Sequence, residues 1–201
     1  MNDTYCYLHL RGSGRDSEAL RVHLKESVLG AWRQSGITVW GIWEGLFGVG
    51  SNELIVVAAA AGDRTEDAFT DVLTEAEVLD VLLLVATVRP VGTAPCDKPG
   101  LYVFRFFDID NANVDEIAAL SNEAWTTFEN TDDYAAEPQG LFAQHDRSAE
   151  RGRMLLVTWY DGLNSWQTSR RPAPAAMENF LRRRALTHGT RALATRLSAT
   201  F

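Results

Sequence analysis

Apolar positions run along this chain in two alternating rhythms, one of strands and one of helices. Tyr5-Cys6-Tyr7-Leu8-His9-Leu10 is a short apolar run stopped by Arg11-Gly12-Ser13-Gly14, the pattern of a strand entering a loop. Asp16 or Ser17 can then cap a helix on which Leu20, Leu24, Val28 and Ala31 recur at spacings of three and four, ending near Ser35-Gly36. Residues 37–49, with Trp40, Ile42, Trp43, Leu46 and Phe47, read as a second strand, and 53–60 as a third. Acidic residues after Gly62 suit a helix start, so 68–79 is predicted helical and 82–88 a fourth strand. The order is β-α-β-β-α-β, the split-βαβ or ferredoxin-like plan.

Residues 91–100, with two prolines and two glycines, read as a linker, and the order then repeats. Residues 101–107 form a strand, and Asn113 with Glu116 three residues on resembles a capping box. Ile117, Leu120, Ala124 and Phe128 give the helical stripe that follows. Two apolar runs around the turn 145–152 make a long hairpin. Met177, Phe180, Leu181 and Ala185 face inward from a last helix, and alternation through Leu193, Thr195, Leu197 and Ala199 marks a final strand. Gly45-Leu46-Phe47 and Gly140-Leu141-Phe142 lie 140 − 45 = 95 residues apart, and Ala31-Trp32 is echoed by Ala124-Trp125. The expectation is an α+β chain of tandem ferredoxin-like repeats, 1–92 and 100–201. A sheet with helices on one face leaves the other bare, so the two sheets are expected to pack face to face as an α+β barrel.

Composition adds little beyond this. The chain has 201 residues, 46% hydrophobic and 23% charged, an ordinary soluble balance, with no basic-then-apolar leader and no apolar run of membrane-spanning length. A cytoplasmic location is the expectation. Cys6 and Cys96 lack the spacing of a zinc or redox pair. The net charge of −8 is uneven: residues 1–150 hold 10 basic and 25 acidic side chains, and 151–201 hold 9 and 2. An acidic body argues against nucleic-acid binding.

The element order resembles the dimeric α+β barrel superfamily with both halves fused in one chain. The second half resembles NIPSNAP-type domains through Leu101-Tyr102-Val103-Phe104-Arg105, Glu123-Ala124-Trp125-Thr126-Thr127-Phe128-Glu129 and Gly140-Leu141-Phe142. The superfamily includes cofactor-independent monooxygenases, haem-binding enzymes, isomerases and proteins without established activity. The resemblance therefore implies a ligand site between a sheet and its helices or inside the barrel, and it carries over no catalytic residue.

Candidate chemistry rests on few residues. Arg105 is a charge in the middle of an apolar strand, where it needs a partner: a carboxylate such as Glu123 or Asp161, or an anionic ligand. Trp125 and Trp159, with Phe128, Phe142 and Trp166, are candidate ligand-binding aromatics in the second half, core packing being the competing reading. His9 reads as a hydrogen-bonded core residue, and His145 and His188 as a turn and a helix end. No residue set has metal spacing, so no cofactor and no metal is expected. Arg182-Arg183-Arg184 fans around a helix and reads as a solvated face. Two functions stay open: a small-molecule protein, with a metal-free monooxygenase or isomerase type in view, acting on an apolar or aromatic compound; and a non-catalytic interaction or scaffold protein. Expected partners are a small apolar or aromatic ligand and, as an option, further copies of the chain, with neither nucleic acid nor membrane.

Overall fold

The computed structural model describes residues 3–198, so Ala199 of the expected last strand lies outside the described residues. The chain divides into two compact units. The first holds the chain up to Val85, Gly92–Lys98 and the end from Leu193; the second holds Ala86–Val91 and Pro99–Ala192.

In the first unit, β1 (Thr4–Arg11), β2 (Ile37–Phe47), β3 (Glu53–Ala60) and β4 (Glu77–Ala86) pair antiparallel in the order β4-β1-β3-β2. Strand alternation sends Cys6, Leu8 and Leu10 to one face, opposite Ala58, Val56 and Leu54 on β3. There they close a core with Leu20, Leu24, Val28, Trp32 and Phe69 from the helices. The first helical stretch is α1 (Glu18–His23), a π turn (Leu24–Val28) and α2 (Leu29–Gln34). Its buried series is Leu20, Leu24, Val28 and Trp32, with Trp32 in place of the expected Ala31. A wider π turn keeps residues four apart on one stripe, where a plain α-helix would let them drift.

The predicted helix 68–79 is cut short. Only α3 (Asp67–Thr70) forms, and β4 begins at Glu77, opposite Arg11. Ladder pairing of Glu77 and Val78 with β1 satisfies backbone groups that a longer helix would have used itself, so tertiary pairing overrides helical period.

In the second unit, β5 (Leu101–Asp110), β6 (Ala136–Gln144), β7 (Arg151–Tyr160) and the first half of β8 (Thr187–Leu197) follow the order β6-β7-β5-β8. The helix α4 (Val114–Phe128) buries the predicted Ile117, Leu120, Ala124 and Phe128. Asn113 stands at its N-cap without a side-chain bond, so the expected capping box does not form. After β7 come α5 (Leu163–Thr168) and α6 (Pro174–Ala185), with Phe180 edge-on to Phe128 at 5.6 Å.

Two further expectations change. The final strand starts at Thr187 and includes Gly189, and its end, Ala194–Leu197, pairs with β2 in the first unit. In turn, the chain after β4 joins the second unit, where the Thr87 N–H donates to the Leu141 carbonyl and the Leu141 N–H to the Arg89 carbonyl, both at 2.9 Å. The sequence echo is also resited. Gly140-Leu141-Phe142 pairs with Val157, Leu156 and Leu155 after a register shift, and its counterpart after the same kind of shift is Gly41-Ile42-Trp43, paired with Val57, Val56 and Ile55. The offset is 140 − 41 = 99 residues. Both glycines serve one purpose: a Cβ on Gly41 would meet the Trp43 ring at 2.2 Å and one on Gly140 the Phe142 ring at 2.4 Å. Gly45 instead lies opposite Thr195, and Leu46 and Phe47 are exposed.

Candidate functional site

The second unit holds a cavity of about 310 Å³ between its sheet and helices, at the lower end of the ~300–1,000 Å³ usual for small-molecule sites. Alternation builds its floor: Val103, Arg105 and Phe107 on β5, with Leu156, Thr158 and Tyr160 on β7, point the same way. Trp125 and Phe128 from α4, and Met177, Phe180 and Arg183 from α6, form the opposite wall. Ser169 and Arg170, after α5, stand at one end.

Of the candidate aromatics and the arginine, Arg105, Trp125 and Phe128 meet at this cavity. Phe142, Trp159 and Trp166 do not line it. Phe142 pairs with Leu155, and Trp159 lies between Thr158 and Tyr160, so alternation turns both to the sheet's other face. The Trp159 indole N–H donates to the Pro99 carbonyl at 3.1 Å. Trp166 sits on the short α5, partly buried, where its carbonyl accepts from the Ser169 hydroxyl at 2.8 Å. Periodicity marked all three as apolar and could not say which face each would take.

Arg105 has no carboxylate partner among the described residues. Among the described residues neither Glu123 nor Asp161 pairs with it, and no acidic side chain lines the cavity. Burial lowers its pKa and the charge of Arg170 lowers it further. Arg183 is brought down to about 10, first by burial and then by the charge of Arg105. Its guanidinium donates to Ser121 Oγ at 3.1 Å and rests over the rings of Phe107 and Phe180, at 5.1 and 4.8 Å, none of which supplies a negative charge. Burial raises the Tyr160 phenol, while the hydroxyls of Ser169 and Thr158 and the charges of Arg105 and Arg170 pull the other way without reversing it. The phenol is therefore a neutral donor at physiological pH.

Sequence reading left Arg170 and Tyr160 out of the candidate site and took Arg183 for part of a solvated helix face, which the structure corrects by placing Arg183 on the cavity lining. The last helix buries Ala176 and Asn179 and turns Arg183 inward, whereas the predicted Leu181 and Ala185 are exposed. Its inner face borders a polar cavity, so apolar period was the wrong guide. The spacing of three from Phe180 to Arg183 was the available signal.

Two other charged groups of the described residues have partners. Arg89 forks onto Glu129 at 2.6 and 2.9 Å and lies 5.1 Å from the Trp125 ring centre, behind the cavity wall. His9, on the opposite sheet face from Leu8, meets Glu53 at 2.8 Å, and Glu53 also accepts from Arg11 and from the Gly50 N–H.

The donor set argues against haem. Among the described residues the cavity lining has no imidazole or thiolate, the common axial donors; Met177 offers a thioether, and burial holds Tyr160 away from its phenolate form. These residues do not fit that group, and among the described residues no cluster of three or more His, Cys, Asp or Glu side chains is placed to hold a metal. No described helix is long and apolar enough to cross a membrane.

No protein-family model and no curated protein matches the chain. Solved structures do. A chlorite dismutase from Candidatus Nitrospira defluvii in complex with imidazole aligns with a TM-score of 0.60 at 13% identity, over 98% of this chain and 91% of that one. An anthrone oxidase-like protein gives 0.60 at 14%, over 97% and 91%. A candidate monooxygenase from Lactobacillus acidophilus NCFM gives 0.58 at 9%, over 97% and 93%. At these identities the likeness is one of fold: the chain is a mixed α and β protein with the fold of the dimeric α+β barrel proteins.

Proposed function

We propose that this chain is a small-molecule protein of the metal-free monooxygenase or isomerase type, acting on an apolar or aromatic compound that carries an acidic oxygen. The observation that carries the reading is Arg105: a cation on a strand floor, opposite Trp125 and Phe128, with no carboxylate partner among the described residues. A charge partly removed from water without a counter-charge is costly to the fold, and an anionic ligand such as an enolate or carboxylate removes that cost. Anthrone oxidation, named for one structural neighbour, belongs to this class of aromatic, oxygen-bearing substrates. With it we propose two finer readings: that the second half is NIPSNAP-like, and that both halves descend from one β-α-β-β-α-β unit. A cytoplasmic setting suits the two free cysteines.

A binding protein without chemistry is favoured by one feature, the lack of any carboxylate or imidazole base on the cavity lining. Both readings require binding. Titration with naphthoate should quench tryptophan fluorescence saturably, and Trp125→Phe should remove that quenching because Trp125 alone of the six tryptophans lines the cavity. Arg105→Met should weaken naphthoate binding by about tenfold or more with the fold intact. Undiminished binding by Arg105→Met sinks the proposal.

A further inference from the structure

The cavity holds more positive charge than one acidic group can neutralise. Arg105 and Arg183 lie within it, Arg170 and Arg184 stand exposed at its edge, and the described residues of the lining bring no acidic side chain. The contacts recorded for Arg183 are a serine hydroxyl and two aromatic rings, which orient the guanidinium without cancelling it. After burial, which comes first in both cases, the charge of Arg170 lowers the pKa of Arg105, and the charges of Arg105 and Arg170 lower that of Arg183.

A neutral ligand would displace the water that screens this repulsion and leave the charges facing one another. A monoanion would leave one inner cation uncompensated. Two anionic groups match Arg105 and Arg183 one to one, while Arg170 keeps its access to solvent and its role at the entrance. Tyr160 and Thr158 add hydroxyl hydrogens between the cations, and the aromatic wall of Trp125, Phe128 and Phe180 covers a ring face. The approach favours the same charge: residues 151–201 carry 9 basic and 2 acidic side chains on a chain of net charge −8, a local field that draws anions and falls with salt.

Resting on the small-molecule reading above, we infer that the cavity is built for an aromatic dianion: a compact aromatic body with two ionised oxygen groups, such as a dicarboxylate or a carboxylate beside an enolate, held at the end formed by Arg105, Arg183 and Tyr160.

The test is a matched series of naphthalene, naphthoate and naphthalene dicarboxylate, with inorganic phosphate as a ring-free dianion, titrated into the full chain by calorimetry. The dicarboxylate should bind about tenfold more tightly than the monoacid and the monoacid about tenfold more tightly than naphthalene, with the gap narrowing as salt is added. Arg183→Met should erase the advantage of the second carboxylate while leaving naphthoate binding in place. Exposed Arg170→Met, which leaves the packing untouched, should mainly reduce the salt dependence and the association rate, and it keeps the test usable if Arg183→Met folds poorly. Equal affinity for mono- and dicarboxylate overturns the dianion while sparing the small-molecule reading. Phosphate binding as tight as that of the dicarboxylate overturns the aromatic requirement. Failure of every ring compound overturns both.

Discussion

Leu8 and Arg105 occupy the same place in two units of one chain. Leu8 pairs with Val56, which pairs with Ile42; Arg105 pairs with Leu156, which pairs with Leu141. Both side chains rise from the sheet toward a buried helix tryptophan, Trp32 in one unit and Trp125 in the other. In the first unit the space is filled: Leu8, Trp32, Phe69 and their neighbours form a continuous apolar cluster, and the Trp32 indole N–H donates to the Phe69 carbonyl at 3.2 Å. In the second it is a cavity with arginines at its end. The difference teaches that the same register can carry a filled apolar core in one place and an open cavity in the other.

The treatment of charge differs in the same way. Where the first unit places Arg11 opposite Glu53, the second places Asp108 opposite Arg153, an exchange of sign at the strand end. His9, Glu53 and Arg11 form a compensated cluster. Arg105 and Arg183 form an uncompensated one. Burial at matched charges reads as structure; burial at unmatched charges reads as a site awaiting a counter-charge.

The comparison can be broken most forcefully by moving the arginine into the filled unit. Leu8→Arg inserts an unpaired cation among fully buried side chains and should cost more than about 4 kcal/mol, seen as loss of the cooperative melt or of soluble protein. A mild effect would mean that the first unit is looser than its core suggests. The reverse exchange should act in the opposite sense. Arg105→Leu removes a repelled, partly dehydrated charge and should raise stability by about 1 kcal/mol in chemical denaturation, whereas an arginine tied to a hidden carboxylate would lose stability on the same change. The smallest effect lies at Glu53. Burial works to raise its carboxyl, but the Gly50 N–H, Arg11 and His9 overcome this and hold it below its ordinary 4.5. A carboxyl lowered in the folded state contributes stability that is present above 4.5 and fades as pH falls through the folded value. Glu53→Gln should therefore lose about 1 kcal/mol near neutrality, since Arg11 is partly exposed, and should show a flatter decline than the parent below pH 4.5. Parallel acid curves for the two proteins would assign the acid sensitivity elsewhere.

Much of the fold could be read without coordinates because the physics there is local. Residues 54–60 are uniformly apolar and, with Glu53, form a strand buried from end to end. Ile117, Leu120, Ala124 and Phe128 mark the buried stripe of α4 at helical spacing. The oddity of Arg105 was also local: a guanidinium within an apolar run demands a partner wherever the strand ends up. Tertiary structure decided what local pattern does not contain. Pairing with β1 converted 77–79 from predicted helix to strand, and ladder partners drew the end of β8 into the first unit and residues 86–91 into the second. Tertiary structure also decided which aromatics share a face, sending Trp125 and Phe128 to the cavity and Phe142 and Trp159 away from it. Sheet alternation has period two, so a single-residue shift in register reverses every side chain, and register is set by partners distant in sequence. For the same reason Arg105, Tyr160, Arg170 and Arg183, spread over 79 positions counted from the first to the last of them, became one site only when strands and helices met.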